Sequence, residues 1–179
     1  YGGSCFPKDV KALVKTAKDV NYQPALLAAV ESVNHRQKQK LFTFIDDHFS
    51  GQLAGKIVAV WGLSFKPQTD DVRDAASKVV VSELVKFGVT VNAYDPIATE
   101  NFKNHFPDIN YFGSWQGAVK NANACIILTE WNEFRGMDLG ELKTLMREPV
   151  ILDTKNVLSM QELESLGFTY DNVGRRKSE

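Results

Sequence analysis

The stretch Lys56-Ile57-Val58-Ala59-Val60-Trp61-Gly62-Leu63-Ser64-Phe65-Lys66-Pro67-Gln68-Thr69-Asp70-Asp71-Val72-Arg73-Asp74 decides the fold. Ile57 to Trp61 is a short, continuous apolar run closed by Gly62, the pattern of a strand buried on both faces of a parallel sheet. A polar loop runs from Leu63 to Asp74. Apolar residues at helical spacing then extend from Ala75 to about Phe87, and Gly88 closes them. Strand, polar loop and helix in that order set the rhythm for everything downstream.

Further strands are expected at Thr90–Tyr94, near Asn110–Phe112, at Ala124–Thr129, at Val150–Asp153 and, on an edge, at Thr169–Tyr170. Helices are expected at Thr99–Phe106, Ser114–Asn121, Gly140–Met146 and Ser159–Leu166. Strands alternating with helices require crossover connections. The fold class is therefore α/β, with a doubly wound, mostly parallel, Rossmann-like sheet. No internal repeat or low-complexity tract interrupts it, and the tail from Gly174 to Glu179 is expected to be flexible.

Upstream the period is helical. Val10, Leu13, Val14, Ala17 and Val20 define one apolar face. Asn21 to Gln23 break the pattern. Pro24 suits a first helical turn, and a second helix runs to about Phe49, stopped by Ser50-Gly51. Twenty-odd residues at 1.5 Å each span roughly 35–40 Å. That is long for one small domain, and its middle, Asn34 to Lys40, is polar. The reading is a spine that links domains and pairs with a second subunit. Two units follow: residues 1–51 as a helical dimerisation segment preceding the sheet, and residues 52–179 as the sheet domain.

Composition excludes several classes. The 179 residues carry a formal net charge of -1, which argues against a basic nucleic-acid-binding surface. No apolar run approaches the roughly 18 residues of a membrane span, and no signal peptide stands at the start. Cys5 and Cys125 are too few for a disulfide framework, and His35, His48 and His105 show no metal-ligand spacing. No metal is expected, and a reducing, cytoplasmic compartment fits best. The chain starts inside a glycine turn without methionine, which reads as a fragment.

Chemistry is concentrated in three places. The loop after the first strand has only Gly62 and lacks G-x-G-x-x-G, so a dinucleotide pyrophosphate is not expected on it. It holds Lys66 and Arg73 ahead of a helix N-terminus, an arrangement suited to an anion. The alternative is an exposed charged loop whose Asp70, Asp71 and Asp74 cap that helix. Asp95 follows the second strand, where dinucleotide folds place a ribose-binding acid. Without the glycine fingerprint, a turn at Asp95-Pro96 is the better reading. Cys125 sits in an apolar strand and reads as an inert hydrophobe. Cys5 follows Tyr1-Gly2-Gly3-Ser4 and precedes Phe6-Pro7-Lys8-Asp9 at the start of a helix. Helix dipole and Lys8 would favour the thiolate, and Asp9 could orient a water or cap the helix. Nucleophile and inert thiol are both open on these grounds.

Together these blocks resemble the nucleotide-sugar dehydrogenases. Tyr1 to Asp9 is similar to the family's catalytic-cysteine motif. Asn34-His35-Arg36-Gln37 is similar to its central helix. Gly62 to Pro67, with Thr69-Asp70-Asp71-Val72-Arg73, is similar to the signature of its C-terminal nucleotide-sugar domain. The resemblance covers essentially the whole chain. It implies oxidation of the C6 alcohol of UDP-glucose to UDP-glucuronate, in two hydride transfers to NAD, with Cys5 adding to the aldehyde and then held as a thioester. It implies Asp9 as an acid that helps activate water, and Tyr1, Gly2, Phe65 and Lys66 as substrate contacts. Cys5, Lys8 and Arg73 match positions near NAD. It also implies a homodimer through the long helix and a place in polysaccharide biosynthesis.

Two departures matter. Lys155 stands where many relatives carry arginine, and lysine cannot make a bidentate contact. The family's N-terminal NAD-binding domain is absent, with the lysine and asparagine that stabilise developing oxyanion charge in relatives, so the chain alone is not expected to catalyse. GDP-mannose as substrate, and a non-catalytic binding and dimerisation module, are the competing readings.

Overall fold

A computed structural model describes residues 1–174; the expectation of a flexible tail falls, from residue 175 on, outside the described residues. Two helices lead, α1 (Phe6–Asp19) and α2 (Ala25–His48). Helix α1 starts at Phe6, ahead of the apolar spacing that begins at Val10, because Pro7 fits its first turn. It ends where Asn21 turns left-handed at φ 58°. Helix α2 spans 24 residues and ends as Ser50 and Gly51 take positive φ.

Strands and helices then alternate: β1 (Ile57–Trp61), α3 (Ala76–Lys86), β2 (Thr90–Tyr94), α4 (Thr99–Lys103), β3 (Asn110–Tyr111), α5 (Trp115–Val119) and β4 (Ala124–Ile127). After these come α6 (Asn132–Arg135), α7 (Leu139–Leu145), β5 (Val150–Asp153), α8 (Met160–Ser165) and β6 (Thr169–Asn172). The sheet order is β3-β2-β1-β4-β5-β6, and every pairing is parallel. This is the doubly wound α/β fold expected, with β6 on an edge and two residues longer than its pattern suggested.

Period-2 alternation along β1 divides the core into two layers. Val58 and Val60 face one layer with Val80 and Leu84 of α3, Val91 of β2 and Phe102 of α4. Ala59 and Trp61 face the other, with Trp115, Ile127, Phe134 and Ile151. A strand buried on both faces must be apolar throughout, which is why Ile57–Trp61 reads as an unbroken run. Phe42, Ile45 and Phe49, at the end of α2, join the first layer.

Two features depart from expectation. The apolar face of α1 is largely uncovered: Val10 is buried, but Leu13 is 56% and Val20 70% exposed. The periodicity is real, yet the described residues supply no layer that covers Leu13 and Val20. Helix α6 was not foreseen, because four residues carry too little periodicity. It exists to bring Phe134 onto Trp61, stacked at 5.3 Å between centroids.

Candidate functional site at the carboxyl ends of the strands

Sheet order reverses at β1, which lies between β2 and β4. Open parallel sheets bind ligands beyond the carboxyl ends of their strands near such a reversal. A cleft of about 580 Å³ lies at this end. Its floor holds Ser64 and Phe65 after β1, Leu128 after β4, and Leu152, Thr154 and Lys155 at the end of β5. Asn172 of β6 adds to one side. Tyr1 and Gly2 form part of the rim, and α2 forms a wall through Asn34, Gln37, Lys38, Leu41 and Phe44. Those α2 positions are spaced three and four apart, so they share one helix face.

The β1 loop is held rigidly. Gly62 takes φ 85°, and a Cβ there would lie 2.4 Å from Thr129 Cβ. Only glycine permits this approach of two strand ends. Asp95 is 4% exposed, and its carboxylate accepts from Leu63 N at 2.7 Å and Trp131 Nε1 at 3.2 Å. It also accepts from Ile97 N and Ala98 N, so it caps the turn and clamps the β1 loop together. The turn reading holds, with a second task added. Thr129 Oγ1 donates to Ser64 O at 2.6 Å, and Phe65 N donates to Asp71 O at 3.1 Å.

The Gly-Gly turn docks on this loop. Gly3 N donates to Arg73 O at 2.9 Å. Gly3 takes φ 91°, and a Cβ on it would meet the Phe65 ring at 2.8 Å; one on Gly2 would meet Asp74 O at 2.6 Å. Both glycines are therefore needed for contact, and Gly3 for conformation as well. Cys5 follows at the N-cap position of α1, exposed and unoxidised, with Sγ 3.6 Å from Ser4 Oγ.

Charge in the cleft favours an anion: Lys38, Lys40 and Lys155 line it, against Asp171. Lys155 Nζ lies 3.1 Å from Glu130 Oε2. Burial pushes the Lys38 ammonium below the ordinary lysine value, opposed by the nearby Asp74 charge.

The expected site residues divide. Tyr1, Gly2 and Phe65 meet at the cleft. Lys66, Cys5, Lys8, Asp9 and Arg73 do not line it. Lys8 Nζ pairs with Asp9 at 2.7 Å, both exposed, so Asp9 holds the Lys8 ammonium above its ordinary value, with Cys5 a minor cause. Lys66 Nζ sits 5.4 Å from the centroid of the Phe65 ring. Arg73 grips Asp71 with two bonds of 2.9 Å and borders a separate hollow with Asp70, Asn101 and His105. Lys66 and Arg73 thus turn to different neighbours. The helix-capping alternative is also corrected. Ala75 precedes α3 without a side-chain cap, since Asp71 is taken by Arg73, Asp70 by Asn101 and Asp74 by Lys11. Cys125 is wholly buried, and burial pushes its thiol well above the ordinary value, as an inert cysteine requires.

Lys38, Thr154 and Asn172 were missed as cleft residues. The signal for Lys38 was present: Asn34, Lys38 and Leu41 fall on one helix face. Thr154 and Asn172 carried none, because their approach depends on the sheet order. Among the described residues no group of three or more His, Cys, Asp or Glu could hold a metal ion, and no helix is long and apolar enough to cross a membrane.

The chain is similar to known proteins along nearly its whole length. Residues 59–160 match the family model of the UDP-binding domain of UDP-glucose/GDP-mannose dehydrogenases, and residues 1–36 match that of the family's central domain. A UDP-glucose 6-dehydrogenase of Pseudomonas aeruginosa is 40% identical over 99% of this chain and 41% of its own. A solved UDP-glucose dehydrogenase from Pyrobaculum islandicum is 32% identical with a TM-score of 0.76, covering 86% of this chain and 34% of that one. An NDP-N-acetyl-D-galactosaminuronic acid dehydrogenase from Methanosarcina mazei shares the fold, at a TM-score of 0.82 and 24% identity over 98% of this chain and 38% of that one. The chain spans about two fifths of the length of the curated relatives it matches.

Proposed function

The chain belongs to the UDP-glucose/GDP-mannose dehydrogenase family, and from that membership we propose that it is the nucleotide-sugar-binding and cysteine-bearing part of an NAD-dependent UDP-glucose 6-dehydrogenase. The observation that carries this reading is the stitching of the Gly2-Gly3 turn to the β1 loop, which sets Cys5 two residues beyond the junction that borders a lysine-lined cleft. In this reading the UDP-sugar occupies the cleft, with Tyr1, Gly2 and Phe65 around it and Lys66 at its edge.

No dinucleotide cradle for NAD forms among the described residues. The single turn glycine, Gly62, is spent on Thr129 packing. The residues that face outward from the Gly-Gly turn, Cys5, Lys8 and Arg73, are exposed and fit the edge of a cofactor held by a separate NAD-binding domain. NAD would supply the hydride acceptor for both oxidations. Cys5 Sγ adds as thiolate to the carbonyl carbon of the C6 aldehyde, forming a C–S bond. After the second oxidation that carbon is a thioester. Water attacks it, the C–S bond breaks, the carboxylate leaves and the thiol is regenerated. Asp9, exposed on the first turn of α1, aids that water once freed from Lys8.

The division at residue 51 is functional in this proposal, because α2 packs its end into the sheet core. The uncovered apolar positions of α1 and α2 are assigned to a second copy of the chain. By itself the chain binds without turnover.

The experiment is an assay of Cys5→Ser in the enzyme formed with an NAD-binding domain. UDP-glucuronate release should be abolished while UDP, titrated calorimetrically, still binds. Near-normal acid release would remove Cys5 from the mechanism. Turnover of GDP-mannose without UDP-glucose would transfer the substrate assignment to GDP-mannose.

A further inference from the structure

We propose that Asp74 is a positioning residue, whose left-handed backbone fixes the Cys5-bearing start of α1 against α2 and the β1 loop. The inference rests on the role of Cys5 given above. Asp74 takes φ 50°, a conformation that Asp and Asn tolerate and β-branched residues resist. Its carbonyl oxygen accepts from Lys38 Nζ of α2 at 2.6 Å. The same oxygen lies 2.6 Å from where a Cβ on Gly2 would stand, so the Gly-Gly turn rests on it. One residue earlier, Arg73 O receives Gly3 N at 2.9 Å. The Asp74 carboxylate reaches Lys11 Nζ of α1 at 3.1 Å. Three separate segments thus converge on Arg73-Asp74: the turn before Cys5 and α2 on the two backbone carbonyls, and α1 on the Asp74 carboxylate.

Backbone carries the argument more than charge does. The Lys11 pair has side chains 56% and 42% exposed, and exposed pairs contribute little. The carbonyl is different. If Asp74 left the left-handed region, its oxygen would swing away from Lys38, and Gly2 and Gly3 would lose their seat. Cys5 lies two residues past Gly3. A displacement of about 1 Å at a reacting atom can cost on the order of 100-fold in rate.

Three substitutions separate conformation from charge. Asp74→Gly keeps the left-handed backbone without a side chain, Asp74→Asn keeps it without charge, and Asp74→Val opposes it. In the enzyme formed with an NAD-binding domain, Asp74→Val should lower kcat for acid formation at least about tenfold, a larger factor than the rise it causes in KM for UDP-glucose. Asp74→Gly and Asp74→Asn should stay within about threefold of the parent in both constants. Unchanged kcat in Asp74→Val, or equal factors in all three variants, would overturn the proposal. A second readout needs no catalysis: the rate of Cys5 alkylation by iodoacetamide, followed by mass spectrometry on the chain itself. Asp74→Val and Lys38→Met, which removes the donor and leaves the backbone intact, should each shift it at least about threefold, in the same direction, with Asp74→Gly unchanged. Folded variants that alkylate at the parent rate would reject positioning even if the enzyme proves to act on another sugar.

Discussion

Gly62 shows how much one missing carbon can decide. At φ 85° any side chain is strained, and a Cβ would also strike Thr129 at 2.4 Å. Gly55 has a similar φ of 78° but open space around it. Gly55→Ala should therefore cost about 1–2 kcal/mol, the conformational penalty alone. Gly62→Ala adds overpacking and should cost about 1–3 kcal/mol more. Urea unfolding followed by circular dichroism measures both; equal losses would place the cost in conformation alone. Asp71 gives a pH prediction. Its hydrogen bond from Arg73 draws its carboxyl down to about 2, from an ordinary 3.8. A depressed carboxylate stabilises the fold above its ordinary value and loses that contribution as pH falls through the folded one. The stability gap between the parent and Asp71→Asn should be constant above about pH 5 and close towards about pH 2. A gap that persists at the acid end would show that Asp71 acts through packing. Sequence revealed that Gly62 ends a strand and that Asp95 turns the chain. It could not reveal their partners, because Thr129 arrives through crossovers of sixty-odd residues and Trp131 lies 36 residues beyond Asp95.

At the scale of elements, α2 is the instructive case. Its length and ends were legible, since apolar spacing and the Ser50-Gly51 stop act locally. Its polar middle was read as a spine between domains. In the structure Asn34, Gln37, Lys38 and Leu41 on that stretch face the cleft, whereas His35 and Arg36 are exposed on other faces. A polar residue on a helix looks the same in sequence whether water or a ligand meets it. The two faces give the test. Lys38→Ala should weaken calorimetric binding of UDP about tenfold, through loss of a partly desolvated cation facing an anion. Arg36→Ala removes an equal charge from outside the cleft and should change it less than about twofold. Equal effects would mean that general charge, and not the cleft, attracts the nucleotide. Lys66 belongs to the same comparison: it does not line the cleft but lies over the Phe65 ring, which does, and if Lys66→Ala leaves UDP binding unchanged, its assignment as a substrate contact falls.

For the whole molecule, the unresolved balance is apolar surface. The sheet buries both its faces, and the last turns of α2 complete one layer with Phe42, Ile45 and Phe49. The leading helices do the opposite. Leu13 of α1 and Val20 at its C-cap are seven residues apart, and Leu26 and Val33 are seven apart on α2. They are 56%, 70%, 78% and 49% exposed. Single exposed apolar residues are ordinary. Paired positions on one face of each of two adjoining helices are the stripe that the proposed pairing surface would draw on. Fully burying an exposed leucine or valine side chain is worth about 1.5–3 kcal/mol, so these part-covered positions, duplicated by symmetry, contribute a fraction of that each toward offsetting the association cost. A closed two-fold pair would use the same surface from both copies. The parent chain should therefore scatter light as a dimer at micromolar concentration. Leu26→Asp with Val33→Asp should give a monomer whose circular dichroism is unchanged, because neither side chain touches the sheet core. A parent that stays monomeric across a broad concentration range would leave the stripe to the NAD-binding domain instead, and the double variant would then weaken assembly of the enzyme without altering the state of the chain alone.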